Sequence, residues 1–175
     1  MRFIVMHKVD EKMEAGAPPN QEIISAMGSL VRESLSNGVF QNGAGLHRSA
    51  QRVRLSFRDG RCTVTQGPYQ GQNELVWAFA MIQTPAMQGA IEQASRYADL
   101  LGDSEIEIGP VVEAWDLGIV PKPAHIEKSR FLLLIKGNAA TEGNRLDKAM
   151  LQRLGELEQQ LTTEGVLLAA EKLAP

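Results

Sequence analysis

His47, which follows Gly45 and Leu46, and Glu113 are the residues of this chain whose types suit proton transfer, because an imidazole titrates near neutral pH and a carboxylate can share or orient its proton. Gln66, Tyr69 and Glu74 surround Gly67-Pro68 and could hold a small molecule through amide, phenol and carboxylate hydrogen bonds. Trp77 and Trp115 could line the same pocket. Each has an ordinary reading beside this one. His47 suits a partly exposed polar residue after a glycine loop, Gly67-Pro68 is a common turn, Glu74 and Glu113 suit solvated strand ends as well as an acid and base pair, and the tryptophans suit barrel or interface filling. His7, His47 and His125 are well separated and no acidic cluster stands at ligand spacing, so no metal is expected, and no cofactor.

Composition narrows the function classes. With 175 residues, 43% of them hydrophobic and 22% charged, the chain suits one sizeable core, or one domain with an appendage, rather than a disordered or membrane protein. The net charge of −3 and the scatter of the 18 basic residues argue against nucleic-acid binding. Cys62 is the single cysteine, so no disulfide framework exists. The apolar run at the start is too short for a signal peptide, and cytoplasmic residence is the default expectation.

Elements that would position these residues follow from periodicity. Phe3 to His7 suits a buried strand, and Asn20 suits the N-cap of an amphipathic helix over residues 21–37 that stops at Asn37-Gly38. Alternation around Asp59-Gly60 predicts a hairpin in which Arg58 faces Arg61, Phe57 faces Cys62, Leu55 faces Val64 and Val53 faces Gln66. Residues 74–82 predict a long strand, bulky on one side and small on the other. A helix follows Thr84-Pro85, and residues 105–115 predict a closing strand with Glu107, Glu113 and Trp115 on one face. This order packs most simply as an α+β, ferredoxin-like antiparallel sheet with both helices on one face. The other face would then pair with a second copy in a homodimer.

The chain also begins twice. Arg2-Phe3-Ile4-Val5-Met6-His7-Lys8 is echoed by Arg130-Phe131-Leu132-Leu133-Leu134-Ile135-Lys136, and Gly38-Val39 with Leu46 by Gly165-Val166 with Leu173. Residues 1–118 therefore read as one domain, 119–128 as a linker around Pro121-Lys122-Pro123, and 129–175 as an incomplete second βαβ copy. In that copy Asn144 caps a helix carrying Leu146, Met150, Leu151, Leu154, Leu157 and Leu161, and residues 166–169 form a short strand. Such a half copy cannot form its own core and must dock on the first domain or on a partner.

Over residues 1–118 the chain resembles the YCII-related proteins of the DGPF-motif type, in the dimeric α+β barrel superfamily. The resemblance runs through Glu14-Ala15-Gly16, Gly45-Leu46-His47, Arg61 to Thr65, Gly67-Pro68-Tyr69 and the ending Glu113-Ala114-Trp115-Asp116-Leu117-Gly118. The motif itself departs from the family: Gln66, Gly71 and Asn73 replace its aspartate, glutamate and lysine, while Gly67, Pro68, the aromatic Tyr69 and Glu74 match. The resemblance implies a dimeric barrel and a pocket between the sheet and its partner, where relatives use a histidine and aspartate pair and some act as lyases or dehydrochlorinases on small ring-derived acids. An amide at position 66 cannot titrate, so the implied activity is that of a small-ligand binder that has lost the motif acid. The alternatives are a lyase or isomerase on a small carboxylic acid with His47 as base, and a regulatory or assembly protein that uses the half copy.

Overall fold

The computed structural model describes residues 2–7, 11–18, 20–68, 75–138, 141 and 148–173. The chain divides into two compact units, residues 1–44 and 45–175.

In the first unit a short helix α1 (Glu11–Glu14) precedes α2 (Gln21–Ser36). The Asn20 side chain accepts the Glu22 N–H at 2.8 Å, so the expected N-cap is made. The exit is a left-handed Gly38 with φ of 74°. Residues 2–7, expected as a buried strand, form no strand: Phe3 and Val5 are exposed, as are Ile23, Met27 and Leu30 along α2.

The second unit is built on a six-stranded antiparallel sheet in the order β2-β1-β4-β5-β3-β6. Its strands are β1 (Val53–Arg58), β2 (Arg61–Gln66), β3 (Val76–Thr84), β4 (Ser104–Pro110), β5 (Ser129–Lys136) and β6 (Leu167–Lys172). The β1–β2 hairpin has the register read from the sequence, from Arg58 opposite Arg61 to Val53 opposite Gln66. Helices α3 (Met87–Leu101) and α4 (Lys148–Thr163) pack on each other. The four strands β4-β5-β3-β6 follow the order and polarity compatible with a ferredoxin-like sheet, but the strand between β4 and β3 is β5. Residues 129–175 add two strands and a helix to the same sheet as β1 to β4; Asn144 and Leu146 lie outside the described residues.

The core lies between the sheet and the two helices. Ala78, Ala80 and Ile82 face Ala90, Ala94 and Ala98, and these small residues let α3 approach β3 closely. Ile106, Ile108, Leu133 and Ile135 fill the centre, each contributing roughly 1.5–3 kcal/mol by burial. Tyr97 is buried among them; burial, and secondarily the Glu158 charge, push its phenol above its ordinary range. A bulge between Val76 and Ala78 interrupts the alternation expected for β3, so Trp77 enters the core beside Ala78. The closing strand is shorter than expected. It ends at Pro110, because residues 114–118 turn, and β6 runs on to Lys172.

Candidate functional site

Across the sheet face opposite α3 and α4 one row of side chains follows the register: Arg54 on β1, Glu107 on β4, Leu134 on β5, Phe79 on β3. At the β1 end the row is charged. Glu107 Oε1 accepts from Arg52 Nη1 at 3.0 Å, while Glu107 Oε2 lies 3.4 Å from Arg54 Nη2 and 3.3 Å from Lys136 Nζ. Glu105 Oε1 stands 3.7 Å from Arg54 Nε. Glu107 and Lys136 are both buried. Burial alone would raise the Glu107 carboxyl, but Lys136 and Arg52 outweigh it and hold it below the usual carboxylate range. Three cations and two carboxylates thus form one network, which residue alternation could have shown for Glu105 and Glu107 on β4 but not for Lys136, whose strand pairs with β4 from far along the chain.

His47 sits at the end of β4. Leu46 bridges to Val111, Val112 N–H donates to Gly45 O at 2.8 Å, and His47 N–H donates to Pro110 O at 3.0 Å. A Cβ at Gly109 would meet Leu46 Cδ1 at 3.0 Å, so glycine there gives Leu46 its seat. Arg52 Nε donates to His47 O at 2.7 Å, tying this segment to the charged network. The imidazole is about one quarter exposed, and its Nε2 lies 3.4 Å from Asp116 Oδ2.

Asp116 is fixed by the turn that ends β4. Its N–H donates to Glu113 O at 3.0 Å, and its Oδ2 accepts the Glu113 N–H at 2.9 Å. The Glu113 carboxylate is engaged on both oxygens by Arg130, with Nε–Oε1 at 2.7 Å and Nη2–Oε2 at 2.6 Å. That paired hydrogen bond raises the Arg130 guanidinium above its ordinary value. Both carboxylate oxygens of Glu113 are thus occupied by Arg130. The chemistry open to this corner is that of a histidine oriented by Asp116. Asp116 was visible in the sequence three residues after Glu113, a spacing that suits a reciprocal turn, yet its neighbour His47 comes from a segment nearly seventy positions earlier.

The other expected site residues separate. Gln66 Nε2 donates to Ala50 O at 3.2 Å and Arg52 O at 2.9 Å, closing the open end of the hairpin. A Cβ at Gly67 would overlap the Ser49 carbonyl, so this motif glycine is needed for chain packing. Trp77 is buried in the core, and Trp115 is half-buried in the turn beside Asp116. Tyr69 and Glu74 lie outside the described residues. Among the described residues no group of histidine, cysteine, aspartate and glutamate could hold a metal ion, and no helix is long and apolar enough to cross a membrane. Comparison with protein families, with curated proteins and with solved structures finds no match.

Proposed function

We propose that this protein binds a small organic acid on the face of its sheet opposite α3 and α4, with His47 and Asp116 as the polar end of the site. The observation that carries this reading is the 3.4 Å approach of His47 Nε2 to Asp116 Oδ2 from two segments pinned by backbone hydrogen bonds. A histidine and aspartate pair is what the YCII resemblance leads one to expect, and Asp116 supplies the acid that Gln66 does not. In the family's dimeric barrel a second copy would cover this face and enclose the ligand. An imidazole N–H of His47 would donate to the ligand's carboxylate, and the apolar Phe79, Met81 and Leu134 would meet its body.

The same pair favours a second reading, a lyase or isomerase in which neutral His47 removes a proton next to the ligand's carboxylate and Asp116 stabilises the resulting imidazolium. Docking of a partner by residues 129–175 draws less support, because β5 and β6 are hydrogen-bonded within the sheet. Native mass spectrometry of the purified protein tests the binding reading. A dimer carrying a discrete small-molecule mass that His47→Ala loses, with its fold retained by circular dichroism, is the expected result. The same mass retained in His47→Ala would remove His47 from the site.

A further inference from the structure

The slot between β4 and β3 has two segments in this chain built to fill it. Helices α2 and α4 each span 16 residues, and their first residues, Gln21 and Lys148, share the offset seen between the sequence copies. Their exits are the same in detail. Val39 N–H donates to Ser34 O as Val166 N–H does to Leu161 O, and Gly38 N–H donates to Leu35 O as Gly165 N–H does to Thr162 O. Gly38 and Gly165 have φ of 74° and 65°. Apolar positions correspond too: Ile23 to Met150, Ile24 to Leu151, Met27 to Leu154 and Leu30 to Leu157, with Gly28 matching Gly155.

We propose that residues 2–46 are an alternative occupant of three places: the slot between β4 and β3 that β5 fills, the place of α4 beside α3, and the edge outside β3 that β6 fills. In that state Phe3 takes the place of Phe131 and Val5 that of Leu133, opposite Ala80 on β3 and Ile108 on β4. Two differences explain why the C-terminal copy holds the slot. His7 stands where β5 has the buried Ile135, and Ser34 where α4 has the fully buried Leu161, so the N-terminal copy would bury a polar group at each place. The exchange reaches the candidate site. Leu46 corresponds to Leu173, whose N–H donates to Trp77 O, so filling the slot from the N-terminus draws Leu46 off Val111 and His47 away from Asp116. The inference rests on the copies alone and stands apart from the ligand reading.

Disulfide trapping in the full chain tests it. In a Cys62→Ser background, the pair Leu133→Cys with Ala80→Cys reports β5 in the slot, and Val5→Cys with Ala80→Cys reports the N-terminal strand there. The second pair is expected to link within one chain, and to link several-fold more when Leu133→Asp places a charge at the buried β5 position. Leu133→Asp alone is expected to stay folded by circular dichroism, and Val5→Asp with Leu133→Asp to unfold. Absence of a Val5–Ala80 link while the Leu133–Ala80 link forms would overturn the proposal. So would a Val5–Ala80 link found only between chains, or loss of the fold in Leu133→Asp alone.

Discussion

Residues 2–38 and residues 130–165 differ most in what surrounds them. On α4, Leu154, Leu157 and Leu161 are 1%, 8% and 0% exposed, whereas Met27 and Leu30 on α2 are 53% and 55% exposed. Both helices have the same length and the same exit, so neither of these local features causes the difference. The difference lies in tertiary burial, which decides what a strand or helix signal becomes: Arg130 and Phe131 open a central strand, while Arg2 and Phe3 open a segment without one.

Substitutions at matched residues sharpen this contrast. Phe131→Ala should cost about 3–5 kcal/mol of the stability measured by urea unfolding, while Phe3→Ala should change it by less than about 0.5 kcal/mol. Equal losses would mean that both strands are buried. Next, Leu157→Ala should cost about 2–4 kcal/mol and Leu30→Ala well under about 1 kcal/mol in the same assay.

A smaller effect comes from the charge that β5 brings to the sheet. Glu107 is held below its unfolded value by Lys136 and Arg52, so its contribution is fully present above about pH 4.3 and is lost as pH falls through the folded value. Replacing Lys136 by Met should remove part of this acid dependence; an unchanged pH profile of unfolding would show that Lys136 does not reach Glu107. The smallest difference belongs to the helix exits. Gly165→Ala should cost about 1 kcal/mol in global unfolding, because alanine resists the left-handed conformation, and Gly38→Ala should leave global unfolding unchanged.

Short-range features were legible in the sequence. The Asn20 cap, the Asn37-Gly38 stop and the whole register of the β1–β2 hairpin depend on residues close in the chain. The small side of β3 also announced its helix-facing role through Ala78 and Ala80. What the sequence left open was competition between distant segments, since Phe3 and Phe131 carry the same local signal and only packing selects one. The candidate site divides in the same way. His47 stood out by type, but its partner Asp116 is brought to it by the Leu46–Val111 bridge, and the Glu113 carboxylate is taken by Arg130 from β5. The bulge that places Trp77 in the core has no marker in the residues around it.

Hydrogen exchange followed by mass spectrometry tests the central claim, that residues 129–136 fill the middle of the sheet. Amides of residues 131–135, hydrogen-bonded to β3 and β4, are expected to exchange slowly, and those of residues 3–7 within the earliest time points. Slow exchange at residues 3–7 with fast exchange at 131–135 would contradict it and place the N-terminal strand in the slot.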